Sequence, residues 1–521
     1  MVVCGARSAN AQTQLSAELQ QKIDKAATEA LSKTGVPSAS IAVVKDGQIA
    51  YLHAYGNARL DPVIAAKPGM RYSVGSISKQ FTATAMLLLQ EQGKLSLDDK
   101  VAKFLPDLTR ANEVSIRQLL SHTSGYQDYW PQDYVMPMML QPVTAQKILD
   151  TWARKPLDFD PGTKWQYSNT NYVIAGLIVE KASGVPLLQF LQEKVFTPLG
   201  MKSVADIDHA RLGDTDATGY VRYALGPPRL APKEGKGWLF AAGELAMPAE
   251  DLAKWDISII NQSLLRPPSY LAFETEVPLK NGLGTHYGLG VTIDSKFGHR
   301  ALSHGGEVSG YTAENVVFPD DRVAVVVLTN QDAADAASAI ARGIAPLLLA
   351  SDDPATPEKL AQARKIFEGL QQGTVDRSLF TDNANFYFDQ QALKDFAASL
   401  GPLGTPEEFV ETYQASRGGM KLRVYAIKFP KNQVRAWTTR CPTGSSSSIK
   451  CRRRIKPERD RRRLRMAGAS RTSGAPGVSV YRLGKPGLSF LPGLSRGEGD
   501  HEEIAECSHS FFVAGFLCFG R

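Results

Sequence analysis

Cysteine is nearly missing from this 521-residue chain: Cys4 stands alone near the start, and Cys441, Cys451, Cys507 and Cys518 all follow Arg440. The long stretch between them can form no internal disulfide, so its stability must come from packing. Apolar runs of 18 residues are also missing, and Phe511 to Phe519 is too short to cross a bilayer, so no transmembrane segment is expected. No HExxH pattern and no His/Cys cluster occurs, which gives no support to a metal or other cofactor. Residues 440–521 hold 16 Lys or Arg against 7 Asp or Glu, an excess larger than the net +7 of the whole chain. The first 439 residues are therefore slightly acidic, and the pI near 8.9 says nothing about the substrate of the main body. What is present, 43% hydrophobic residues, is ample for a large core and a second, smaller domain.

Ser76-Ile77-Ser78-Lys79 stands at the head of an apolar segment in which Phe81, Ala85, Leu88 and Leu89 recur at helical spacing and Gly93 marks a stop. Helical geometry places Ser76 and Lys79, three residues apart, on one face, where the amine can steer or strip the hydroxyl proton. That is the pattern of an activated serine nucleophile. Ser447-Ser448-Ile449-Lys450 repeats the spacing without apolar periodicity and reads as accidental.

A nucleophile needs a second proton-handling group and an oxyanion site, supplied by the fold from elsewhere in the chain. Two downstream segments qualify. In the first, Asp160-Pro161-Gly162 turns the chain into Tyr167 and Asn169, ahead of an apolar helix expected from Tyr172 to Ala182 and closed by Gly184. The Tyr167 phenol can relay a proton, and the Asn169 amide can bind a substrate carbonyl. In the second, Ser303-His304-Gly305-Gly306 lies between strand-like runs, and its two glycines let a ligand approach backbone N–H groups.

Ser76-x-x-Lys79, Tyr167-x-Asn169 and His304-Gly305-Gly306 resemble, in order, the three motifs of the serine β-lactamase and penicillin-binding-protein superfamily. The likeness runs from about residue 15 to 350 and is greatest to the class C β-lactamase-like branch, which also contains esterases and D-amino-acid peptidases. Leu119-Leu120-Ser121-His122-Thr123-Ser124-Gly125 and Ala241-Ala242-Gly243-Glu244-Leu245 are similar as well. Lys33-Thr34-Gly35 and Tyr55-Gly56-Asn57 spell further family motifs but precede Ser76 and are set aside. The resemblance implies an antiparallel sheet flanked by helices with a mainly helical subdomain, an α+β fold. It also implies an oxyanion hole built from the backbone N–H groups of Ser76 and Glu307. Where many relatives carry a lysine, this chain has His304, mostly neutral at pH 7, so attraction for a substrate carboxylate should be weaker. His122 reads as structural. The function expected is acyl-enzyme hydrolysis of an ester, amide or lactam in a small-molecule or peptide substrate. The alternative is a binding protein that keeps the fold without turnover, or one that uses its basic tail on an anionic surface or nucleic acid.

Along the chain, a helix is expected from Gln14 to Ser32, then a hairpin of Ser40–Lys45 and Gln48–Tyr55 about Asp46-Gly47. Strands are expected at His286–Ile293, Ala313–Phe318 and Val323–Leu328, and a closing helix at Ala333–Leu349. The hydrolase domain is thus expected over 13–350, a linker over 351–354 and a small α+β accessory domain over 355–439. Residues 440–521, with four serines and the arginine-dense run Arg452 to Arg465, are expected to be disordered; an altered reading frame would explain such a tail, and nucleic-acid binding is judged unlikely. At the other end, Ala9-Asn10-Ala11 resembles a signal-peptidase site behind only a short apolar stretch. Residues 1–12 are therefore expected to be a truncated signal-peptide remnant, and the protein periplasmic or secreted.

Overall fold

The computed structural model describes residues 15–349 and 356–454, apart from 133, 210–211, 381, 418–419, 431–432 and 441–446. The chain divides into two compact units at Thr356. The first is built on a seven-stranded, wholly antiparallel sheet. Its spatial order is Val63–Ala65, Gln48–Leu60, Ser38–Lys45, Val323–Thr329, Tyr311–Phe318, His299–Val308 and Thr292–Lys296. The two ends of the unit meet at its centre, where Ile41 pairs with Val327 and Val43 with Val325.

Alternation along these strands sends side chains to opposite faces, and both faces are covered. Ile41, Val43, Val325 and Val327 pack under the helices Ala17–Thr34 and Ala336–Leu348. Ala42, Val44, Val326 and Leu328 face the helical subdomain. Continuous apolar runs at Ser38–Lys45 and Val323–Thr329 follow from this double burial. In the subdomain, the helix Ser78–Glu91 is buried nearly all round, with Phe81 against Phe196 and Trp255 at ring separations of 5.5 and 5.1 Å. The helix Asn169–Ser183 packs beside it and ends at Gly184, whose φ of +82° suits glycine. Among the described residues no single helix is long and apolar enough to cross a membrane.

Asn330 fastens the sheet to its surroundings. Fully buried, it accepts from the Ser38 backbone N–H and hydroxyl through Oδ1, both at 2.8 Å, and donates through Nδ2 to the Ala58 and Thr218 carbonyls at 3.2 and 3.0 Å.

One expected strand is displaced. Residues 286–291 form a tight loop, and the strand begins only at Thr292. His286 and Gly290 have φ of +54° and +78°, and a Cβ on Gly290 would stand 2.9 Å from the Lys79 carbonyl. Close packing on the serine-bearing helix overrides the apolar alternation that suggests a strand. The motif His304-Gly305-Gly306 lies within a strand of its own, His299–Val308, rather than between strands.

The second unit holds the helices Thr356–Gln371, Asp382–Tyr387 and Gln390–Leu400 and a four-stranded antiparallel meander, Glu408–Arg417, Met420–Lys428, Gln433–Arg440 and Ser447–Arg454. Phe367, Leu370, Phe388, Tyr425 and Ile427 form its core. Residues 447–454, within the basic tail, pair with the preceding strand from Gln433↔Arg454 to Arg440↔Ser447. The Trp437 strand thereby gains a partner beyond the expected boundary at 439. The remainder of the basic tail lies outside the described residues, as do the linker 351–354 and residues 1–12. The second serine–lysine repeat falls on this strand and not on a helix.

Asn330→Ala should lower stability by about 3 kcal/mol, because two buried donors and two buried carbonyls lose their partner together. Denaturant titration monitored by tryptophan fluorescence checks this; an unchanged midpoint would contradict it.

Candidate active site

Ser76 sits in a single 3-10 turn, Gly75–Ile77, that runs directly into the helix Ser78–Glu91. The turn preserves the expected pairing: Lys79 Nζ is hydrogen-bonded to Ser76 Oγ at 2.9 Å. The other two Lys79 contacts, both 2.8 Å, go to Asn169 Oδ1 and the Ala242 carbonyl. Lys79 is wholly buried, and among the described residues no carboxylate forms a salt bridge with it. Desolvation draws its pKa down from 10.5 to about 7, against the pull of the Asp128 charge.

Asn169 starts its helix beside this amine. Its backbone N–H donates to Asp128 Oδ1 at 2.9 Å, and its Nδ2 reaches the same carboxylate at 3.2 Å. The residue expected to meet a substrate carbonyl therefore has a prior task, holding its Oδ1 toward Lys79. Burial pushes the Asp128 carboxyl upward, opposed by hydrogen bonds from the Asn169 and Trp130 N–H groups. Asp128 was not singled out from the sequence, although it lies three residues beyond the flagged Ser-His-Thr-Ser-Gly segment.

The Tyr167 ring covers the amine, its centroid 4.9 Å from Lys79 Nζ. His122 lies beneath, with ring centroids 4.3 Å apart, and its Nδ1 accepts from the Ser168 N–H at 3.2 Å. Burial, then the nearby Lys79, holds His122 well below its usual pKa. It supports Tyr167 as a neutral ring. Trp165 and Tyr287 extend the aromatic wall, at 6.0 and 5.0 Å from His122.

His304 closes the other side, 6.2 Å from Tyr167 between ring centroids. Its Nδ1 lies 2.6 Å from the Gly305 carbonyl, which can only accept, so Nδ1 carries the proton and Nε2 accepts from the Tyr287 hydroxyl at 2.9 Å. Burial and the Lys79 charge lower its pKa from 6.5 to about 4. The third motif thus offers a neutral ring at pH 7.

The glycines explain how this strand meets the nucleophile. A Cβ on Gly306 would stand 1.9 Å from the Val74 carbonyl, and one on Gly75, whose φ is +50°, would stand 2.7 Å from the Glu307 nitrogen. Main chain meets main chain with no room for a side chain, which brings the Glu307 N–H beside the Ser76 turn. The neighbouring strand Thr292–Lys296 pairs only as far as Ser303, so it leaves the 304–308 edge to this contact. The Glu307 side chain turns away, accepting from the Ala333 N–H at 2.8 Å. All three motifs are brought together, whereas Lys33-Thr34-Gly35 ends an outer helix and Tyr55 bonds Asp24 at 2.6 Å on the far side of the sheet.

The Beta-lactamase family model matches residues 23–348, more than half of the chain. The chain belongs to that family. It is 30% identical over 308 residues to penicillin-binding protein 4* of Bacillus subtilis (strain 168), covering 56% of this chain and 68% of that protein. It is 30% identical over 303 residues to a D-aminopeptidase of Brucella anthropi, spanning 56% of each. The solved structure of D-amino acid amidase from Ochrobactrum anthropi SV3 complexed with L-phenylalanine amide superposes with a TM-score of 0.55 at 25% identity, over 64% of this chain and 97% of that one. By this kinship the protein is a serine hydrolase of the β-lactamase family.

Gly306→Ala should cost about 3 kcal/mol and separate the 304–308 edge from the Ser76 turn, because the added Cβ meets a carbonyl that cannot move alone. Gly305→Ala should be nearly neutral in stability, since its nearest neighbour would be 3.8 Å away. Melting both variants beside the parent tests the contrast; equal losses would show that the two backbones are not in contact.

Proposed function

We propose that this protein hydrolyses an ester, amide or lactam carbonyl in two steps through an acyl-enzyme on Ser76. The observation that carries the reading is the Ser76–Lys79 contact of 2.9 Å with an amine whose pKa is drawn to about 7. A lysine near its ordinary pKa would be almost wholly protonated at neutrality and useless as a base. Here a neutral amine is available without a dedicated carboxylate.

In the first step the Ser76 Oγ–H proton passes to Lys79 Nζ as Oγ bonds to the substrate carbonyl carbon. The carbonyl oxygen gains the negative charge, and the N–H groups of Ser76 and Glu307 receive it. The bond to the amine or alkoxide leaving group then breaks, and Tyr167 returns a proton from Lys79 to it. In the second step water adds to the acyl carbon as its proton passes to the same base; the bond to Ser76 Oγ then breaks, the base returns that proton to Oγ, and the acid leaves. Asn169 and Asp128 hold the amine in line throughout.

The relatives' names supply the substrate direction. Penicillin-binding protein, D-aminopeptidase and D-amino acid amidase support amides at a D-configured centre as the first class to try, with esters and β-lactams beside them. With neutral His304 in the third motif, a free substrate carboxylate should confer little advantage.

Intact-mass labelling with a fluorophosphonate should add one adduct to the parent and none to Ser76→Ala; labelling that survives the substitution sinks the mechanism. For kcat/KM, the neutral amine is the active form, so activity should fall as pH drops through about 7 and level off above it. Lys79→Arg should lose about 10²- to 10⁴-fold, since guanidinium does not deprotonate; a profile flat through neutrality would remove Lys79 as the base. Assays on p-nitrophenyl esters, nitrocefin and D-alanyl amides rank the substrates.

A further inference from the structure

Beside the 241–245 segment, Asp206, Asp208 and Glu244 converge, each offering a carboxylate oxygen within 4.8 Å of the others. All three are buried, with 4%, 8% and 2% of their surface exposed. Their hydrogen bonds do not account for them. Asp206 Oδ1 accepts from the Asp208 N–H at 2.8 Å, and its Oδ2 meets His209 Nδ1. Asp208 receives backbone N–H groups from Gly237 and Leu239, yet its Oδ2 is buried with no hydrogen-bond partner. Among the described residues no lysine or arginine forms a salt bridge with any of the three; His209 on Asp206 is the one basic partner. The carboxylates form part of the wall of a cavity of about 620 Å³, which Glu180, Lys236 and Phe240 also line.

We propose that Asp206, Asp208 and Glu244 bind a calcium-sized divalent cation. Three buried carboxylates this close, with one oxygen lacking any donor, cannot all be ionised without a positive charge among them. The donor set is all oxygen, the choice of hard cations over zinc or copper. Ligands about 2.4 Å from a shared Ca²⁺ can be at most about 4.8 Å apart, and the three oxygens meet that limit. The cavity leaves room for the water molecules that would complete the shell.

The position of the site gives the ion a task. Asp206 pairs with Leu245 across a short strand contact, and the Ile207 N–H donates to the Glu244 carbonyl at 2.8 Å. Two residues before Glu244, the Ala242 carbonyl accepts from Lys79; one residue after it, the Leu245 N–H donates to Ser78 Oγ at 3.1 Å. An ion on Glu244 and the 206–208 turn fastens the strip of main chain that steadies the serine-bearing helix. Patterns of histidine and cysteine do not reveal such a site, because its ligands are three carboxylates from two distant segments.

The test uses the full chain after exhaustive dialysis against EDTA. Added millimolar Ca²⁺ should raise the melting temperature by about 5 °C, and Tb³⁺ should bind one per chain with tyrosine- or tryptophan-sensitised emission that Ca²⁺ displaces. Asp208→Asn and Glu244→Gln, close in shape to the originals, should each abolish both responses. No thermal shift and no stoichiometric Tb³⁺ emission from the parent would overturn the proposal and assign the positive charge to protons. Binding that persists in both variants would overturn it too, by placing the ion elsewhere. Should either variant fail to fold, the titration of the parent decides alone.

Discussion

The site depends on one amine kept out of water. Lys79 contacts a carboxamide oxygen and a main-chain carbonyl, which accept its two N–H groups when the amine is neutral, and a hydroxyl that can then donate to its lone pair. A carboxylate in contact would favour the charged form and raise the pKa; Asp128, one residue removed behind Asn169, attracts the charge from further away. Tyr167, His122 and the helix Asn169–Ser183 seal the surroundings. The all-round burial of the helix Ser78–Glu91 is the same constraint seen from the fold: the helix that carries the amine must have no wet face.

Such burial works against stability. Because the folded chain holds Lys79 near pKa 7 and the unfolded chain near 10.5, the unfolded state binds more protons between those values. The contribution of Lys79 to stability is therefore greatest above the upper value and falls away as pH drops through the lower one. His304 and His122, also held below their usual pKa, lose stability in the same direction at lower pH. Packing, without disulfides in this unit, carries these costs.

Much of this was legible in the residues. Serine and lysine three apart before a helical apolar run, a phenol and amide after a Pro-Gly turn, and two glycines beside strand-like runs each express a local requirement that sequence states directly. The hairpin around Asp46-Gly47 and the strand pair ending at Thr329 were readable for the same reason. What was not readable was set by distant contact. The 286–291 loop alternates like a strand but is pressed onto the Lys79 backbone, and Asp128 gains its role only when Asn169 is folded against it. Asn169 itself could not be assigned between substrate and lysine from spacing alone. Ser447–Arg454 carries a disordered composition, yet it pairs with the edge of a neighbouring strand, and edge pairing depends on backbone rather than on side-chain character.

The interlock of Gly75 with Glu307 and of Gly306 with Val74 joins the Ser76 turn to the Glu307 N–H through main chain alone. Side chains on the aromatic wall, such as the 40% exposed Trp165, take no part in that joint. Substitutions at the rim can therefore change what the pocket admits while leaving the joint between the two backbones untouched.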